Sequence, residues 1–123
     1  MADVLVIDDS AHVRDFLRRA LERAGHRVVE AEDGAKGVRL FRQHPADLVI
    51  TDIYMPEKEG LETIREIRSG FPGARIIAIT GYDAPMKADR VLEIARALGA
   101  AGSMKKPLDL DQLMEMVDRT LNG

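Results

Sequence analysis

The chain has 123 residues, of which 46% are hydrophobic and 32% charged, with a net charge of −3 and no cysteine. That length is about one domain, and the acidic balance supplies no basic face of the kind direct nucleic-acid binding needs. No disulfide framework or thiol chemistry is available, and no apolar stretch approaches the ~20 residues that span a bilayer.

The amino terminus, Met1-Ala-Asp3, lacks a basic-then-apolar signal pattern, so the expectation is a cytoplasmic protein without membrane insertion. Val4–Ile7 reads as a buried strand. Ser10 can cap a helix whose apolar residues Val13, Phe16, Leu17, Ala20, Leu21 and Ala24 recur at helical spacing, with Gly25 ending it. Arg14, Arg18, Arg19 and Arg23 lie on this helix among acids and read as a solvated face. Arg27–Ala31 is a second strand, and a weaker helix from Ala35 to about Gln43 stops before Pro45.

Asp47–Thr51 is a third continuous apolar strand, followed by a loop over Ile53–Gly60. Leu61, Ile64 and Ile67 mark a third helix, closed by Gly70, Pro72 and Gly73. Arg75–Ile79 is the fourth strand, and a helix from about Pro85 to Leu98 carries Val91, Ile94, Ala95 and Leu98 on one face. A short strand near Ala101–Met104 precedes a last helix, capped by Asp109, with Leu110, Leu113, Met114, Val117 and Leu121 facing inward. The order is βα five times over. Continuous apolar strands are those covered on both faces, as parallel strands are, so the expected fold is α/β, a doubly wound (βα)5 domain over residues 1–123.

If the strands are parallel, Asp8, Asp9, Asp52, Thr80 and Lys106 all emerge at the carboxyl-terminal edge of one sheet, where open α/β sheets bind ligands. Three carboxylates crowded there repel one another unless a cation joins them. With no histidine or cysteine among them, the donor set suits a hard ion such as Mg²⁺. An Asp-Asp pair alone would read as a turn before a capped helix, and the third acid favours the metal. A carboxylate beside Mg²⁺ can attack phosphorus and form an aspartyl phosphate, which makes Asp52 a candidate nucleophile. Thr80 supplies a hydroxyl and Lys106 a point charge for phosphoryl oxygens.

Val6-Ile-Asp-Asp9, Asp52-Ile-Tyr-Met-Pro56 with Gly60, Ile79-Thr80 and Lys106-Pro107 occur in that order. Together they resemble the receiver domains of two-component response regulators, of the chemotaxis-regulator type, over essentially the whole chain. The resemblance implies a flavodoxin-like five-stranded parallel sheet of order 2-1-3-4-5, which sets the first and third strands side by side. It implies Asp52 as phosphoacceptor, Asp9 as a direct Mg²⁺ ligand, Asp8 acting on the ion mainly through water, and the backbone carbonyl of Tyr54 as a further ligand. Thr80 and Lys106 would hold the phosphoryl group, and the Lys106–Pro107 bond would be cis. The phosphate donor would be a histidine kinase or histidine phosphotransfer protein. Output would pass through protein contacts on the face of the fourth helix, fifth strand and last helix, without an output domain. The protein would be a signalling switch that promotes only its own phosphorylation and dephosphorylation.

Two departures stand out. Ser103 occupies the position, three before Lys106, where the family carries an aromatic ring that moves with the threonine on activation. Either another aromatic such as Tyr82 takes its place, or signalling differs. The stretch from Thr80 to Gly99 is also longer than the family pattern, by about one helical turn. Gly81 and Pro85 suggest a mobile loop over the site there. Rival readings are a degenerate receiver that binds partners without phosphorylation, and a Mg²⁺-dependent phosphohydrolase of the haloacid-dehalogenase type. The latter needs a second acid where Tyr54 stands. A flavodoxin-like binding module would need a phosphate-cradling loop in place of Asp8-Asp9-Ser10-Ala11.

Overall fold

Within each strand, alternate side chains feed opposite faces of the sheet. The computed structural model describes residues 1–53, 60–81 and 88–123. In it, five strands, β1 (Asp3–Ile7), β2 (Arg27–Ala31), β3 (Leu48–Asp52), β4 (Ile76–Thr80) and β5 (Gly102–Lys105), form one parallel sheet of order β2-β1-β3-β4-β5. The helices are α1 (Ala11–Arg23), α2 (Gly34–Gln43), α3 (Gly60–Gly70), α4 (Ala88–Ala97) and α5 (Leu110–Asn122). Val4, Val6, Leu48, Ile50, Ile77 and Ile79 pack with Leu17 and Leu21 of α1 and Leu113 and Val117 of α5. Leu5, Ile7, Val49, Ile76 and Ala78 pack with Val38 and Phe41 of α2, Ile64 and Ile67 of α3 and Ala95 of α4. The sheet is therefore sandwiched between two helices on one side and three on the other, and the central strands β3 and β4 are buried at every residue. The expected (βα)5 architecture and strand order hold.

Local chemistry sets the ends. Ser10 Oγ accepts from the Val13 amide at 3.2 Å, Asp33 Oδ1 from Lys36 at 2.8 Å, and Asp109 Oδ1 from Gln112 at 2.9 Å, each satisfying a donor the helix leaves unpaired. Because Asp33 is the cap, α2 begins at Gly34, one residue before the expected start. Gly25, at φ 93°, takes the left-handed turn that releases the chain from α1 toward β2.

Other differences have equally plain causes. β2 is an edge strand, so its coverage is one-sided and Val29 stays 53% exposed rather than buried on both faces. Leu110 begins α5 just beyond the cap and is 44% exposed instead of facing inward. Asp52 and Thr80 are the last residues of β3 and β4, inside the ladder rather than past it. The expected start of the fourth helix at Pro85, residues 82–87 of the expected mobile loop and the side chain of Val91 lie outside the described residues. Among the described residues, no helix is long and apolar enough to cross a membrane.

Candidate functional site

The turn after β1 is built around Asp8. Its amide donates to Ala31 O of β2 at 3.1 Å, and its Oδ1 accepts the Ser10 amide at 2.8 Å. Those bonds fold the carboxylate inward, where it is 1% exposed, and leave Asp9 exposed beside it. β3 lies next to β1 with Ile7 level with Thr51, so Asp52 arrives beside Asp8 and is itself 4% exposed. One carboxylate oxygen from each of Asp8, Asp9 and Asp52 falls within 4.8 Å of the other two. Residues from two distant parts of the sequence thus meet at one edge.

Lys106 comes directly after β5, before a cis bond to Pro107, and its amide donates to Thr80 O at 2.8 Å. Anchored there, its ammonium hydrogen-bonds Asp52 Oδ2 at 3.1 Å. It also lies 3.1 Å from Asp8 Oδ2 as an ion pair, off the hydrogen-bonding direction, so that oxygen has no hydrogen-bond donor among the described residues. The Thr80 hydroxyl is likewise buried without a hydrogen-bond partner among them. Leaving such a hydroxyl unpaired costs on the order of 1–3 kcal/mol, which marks Thr80 as a place where a ligand would restore the balance.

Here one ammonium, that of Lys106, faces the carboxylates of Asp8 and Asp52, with Asp9 beside them. Burial pushes the Asp8 carboxyl from 3.8 up to about 6; the Ser10 amide and Lys106 pull it back, while the Asp52 charge pushes it further. Burial works to lower the Lys106 pKa, but Asp52 and then Asp8 outweigh it and hold the lysine above its ordinary value. The oxygen-only donor set and its excess negative charge fit a hard divalent cation. The same edge, with Lys106 and the Thr80 hydroxyl, suits a phosphoryl group attached to Asp52.

The start of α3 is pressed against this edge. The Gly60 amide donates to Ile53 O at 2.8 Å, and a Cβ at Gly60 would fall on the Asp52 carbonyl oxygen. Only glycine fits so close to the Asp52 backbone.

The sequence reading missed Arg14. It is not part of the solvated arginine face, being 17% exposed, and its Nη1 donates to the Asp8 carbonyl oxygen at 2.6 Å. Arg18 and Arg19 do behave as a surface ladder, pairing with Asp15 and, for Arg18, with Glu22. The available signal was spacing: Arg14 precedes the buried Leu17 and Leu21 by three and seven residues, so it shares their stripe. Ser103 is half-buried on β5 and lines a groove with Arg96, Met116 and Arg119. Tyr54, whose carbonyl was expected at the metal, and Tyr82, the candidate substitute aromatic, lie outside the described residues.

Known proteins resemble this chain in sequence and fold. A sequence model of the response regulator receiver domain matches residues 4–118. The chain is 36% identical over 120 residues to the chemotaxis protein CheY of Bacillus subtilis, covering 97% of each. It is 35% identical over 122 residues to the DNA-binding transcriptional regulator NtrC of Azospirillum brasilense, covering 99% of this chain but 24% of that protein. The crystal structure of NtrX from Brucella abortus superposes with a TM-score of 0.91 at 27% identity, over 98% of this chain and 27% of that one.

Proposed function

The chain belongs to the response regulator receiver family, and from that premise we propose that it is a phosphorylation-activated switch whose acceptor is Asp52. The observation that carries the reading is the Asp52 carboxylate, buried at the end of β3 with the Lys106 ammonium at 3.1 Å and the acids Asp8 and Asp9 beside it.

A carboxylate oxygen of Asp52 attacks the phosphorus of a phosphohistidine on a histidine kinase or phosphotransfer protein. The new O–P bond forms as the P–N bond breaks, and the imidazole leaves carrying the electron pair and takes up a proton. Lys106, freed from part of its pairing with Asp52, neutralises one equatorial phosphoryl oxygen, and the Thr80 hydroxyl donates to another. Asp9 and Asp52 would hold Mg²⁺ directly, Asp8 through water, with the Tyr54 carbonyl completing the set. The ion would supply charge neutralisation for the phosphoryl group alongside Lys106. Residues 1–123 act as one receiver domain, and the signal leaves through a protein partner on the face of α4, β5 and α5. Transfer is stoichiometric, so the protein is a switch rather than an enzyme with turnover on other substrates.

Ser103 supports a second reading, a receiver that binds partners without phosphorylation, because no ring is present there to move with Thr80. One experiment separates the two. After incubation with Mg²⁺ and acetyl phosphate, the intact mass of the wild type is expected to rise by one phosphoryl group. Asp52→Asn and wild type in EDTA should show no increase. An unmodified wild type would overturn the proposal in favour of the phosphorylation-independent module.

A further inference from the structure

Asp8 is gripped at every polar atom of its backbone. Its amide is tied to β2 through Ala31 O, and its carbonyl oxygen receives Arg14 Nη1 at 2.6 Å. Arg14 is itself held from outside the site: its Nε lies 3.4 Å from Glu30 Oε1, and Glu30 Oε2 is 3.4 Å from Arg18 Nε. Glu30 directly precedes Ala31, so one dipeptide of the edge strand β2 fixes both the amide of Asp8 and the guanidinium on its carbonyl. We propose that Arg14, braced by Glu30, is a positioning residue that sets the Asp8–Asp9 turn for cation binding without touching the cation. This inference rests on the reading of Asp8, Asp9 and Asp52 as a divalent-cation site.

The geometry explains why arginine is needed. A planar guanidinium offers several donors in a fixed fork, so it can hold Glu30 through Nε and the Asp8 carbonyl through Nη1 at the same time. A lysine carries all its donors on one terminal nitrogen, so it cannot present two separate nitrogens to Glu30 and to the Asp8 carbonyl as the guanidinium does. The turn also carries the side chains that matter: the peptide whose oxygen Arg14 holds joins Asp8 to Asp9, and swinging it re-aims both carboxylates. Groups that orient metal ligands typically contribute about 10–100-fold to affinity.

The sign of the effect distinguishes positioning from simple charge. Removing a cation near an acidic cluster should tighten Mg²⁺ binding if Arg14 acts only through its field. If it positions the turn, its removal weakens binding. Mg²⁺ affinity is measured by isothermal titration calorimetry on wild type, Arg14→Gln and Arg14→Lys, with folding checked by circular dichroism. Arg14→Gln is expected to bind Mg²⁺ about 10-fold more weakly, with Arg14→Lys between it and the wild type. Equal or tighter binding by Arg14→Gln would overturn the inference. If that variant is unfolded at the assay temperature, Arg14→Lys decides, because it keeps the charge: wild-type affinity sinks the inference and a several-fold loss supports it. A wild type that binds no Mg²⁺ overturns both this inference and the cation-site reading. A wild type that binds and a Gln variant that binds as well overturn this inference alone.

Discussion

Asp8 is the residue where burial and charge conflict most openly. Its carboxyl is pushed up to about 6 in the folded protein from 3.8 in the unfolded chain. Between those values the folded state holds more protons than the unfolded one, so stability falls as pH rises through the window. The favourable contribution is complete below the unfolded value and gone above the folded one. At neutral pH the ionised Asp8 is thus a cost to the folded state. Asp8→Asn keeps an oxygen for the Ser10 amide and removes that cost. In EDTA, urea unfolding should find the variant more stable than wild type at pH 7.5, by up to about 3 kcal/mol for so large a rise. The gap should close as pH approaches 4. A variant with no greater advantage over wild type at pH 7.5 than at pH 4 would show that the pairing with Lys106 compensates Asp8 in full.

At the scale of elements, the site depends on how closely α3 is laid against the end of β3. Gly60 begins that helix with its Cα against the Asp52–Ile53 backbone; an added Cβ would lie 2.5 Å from Ile53 Cα and nearer still to the Asp52 carbonyl oxygen. These neighbours are main chain and cannot swing aside, so the helix start or the Asp52 peptide must move. Gly60→Ala is expected to cost about 1–3 kcal/mol, as overpacking does, and to lower the rate at which acetyl phosphate modifies Asp52. Gly70, at the far end of the same helix, has nothing within 4 Å of its Cβ position apart from its chain neighbours and the helix's own backbone. Gly70→Ala should therefore be neutral, or stabilising by up to about 1 kcal/mol. Denaturation of both variants, paired with intact-mass time courses, checks the contrast; equal behaviour would mean that the close approach does not constrain the site.

Across the whole molecule, the two hydrophobic layers must support a sheet edge that, among the described residues, gathers carboxylates in excess of the Lys106 ammonium. A ligand that binds only the folded state offsets that burden by mass action, by about 2.7 kcal/mol at a hundred times its dissociation constant. Mg²⁺ is accordingly expected to raise the melting temperature of the wild type, by about 4 °C for each kcal/mol gained. Asp9→Asn should lose most of the rise while melting close to wild type in EDTA, because Asp9 is exposed and removing its charge exposes no buried partner. An equal rise in both proteins would place the cation elsewhere.

Period and punctuation in the sequence were enough for the (βα)5 element order, whereas the strand order 2-1-3-4-5 was implied by the resemblance to the receiver family. Continuous apolar runs such as Leu48–Ile50 and Ile76–Ile79 can only be buried on both faces, and caps such as Ser10 and Asp109 announce their helices locally. The gathering of Asp8, Asp9, Asp52, Thr80 and Lys106 at one edge was legible for the same reason, since parallel strands deliver the residues at their carboxyl ends to the same side. Features that depend on which element is a neighbour were not. The exposure of Val29 comes from β2 being an edge, and that of Leu110 from lying at the rim of α5. The ion pair of Asp8 with Lys106 and, among the described residues, the unpaired hydroxyl of Thr80 depend on how side chains far apart in sequence meet. Arg14 shows the division within one residue. Its place on the buried stripe of α1 is local, set by helical spacing. Its bond to the Asp8 carbonyl and its brace on Glu30 exist only because β2, β1 and α1 converge there, and long-range packing alone decides that convergence.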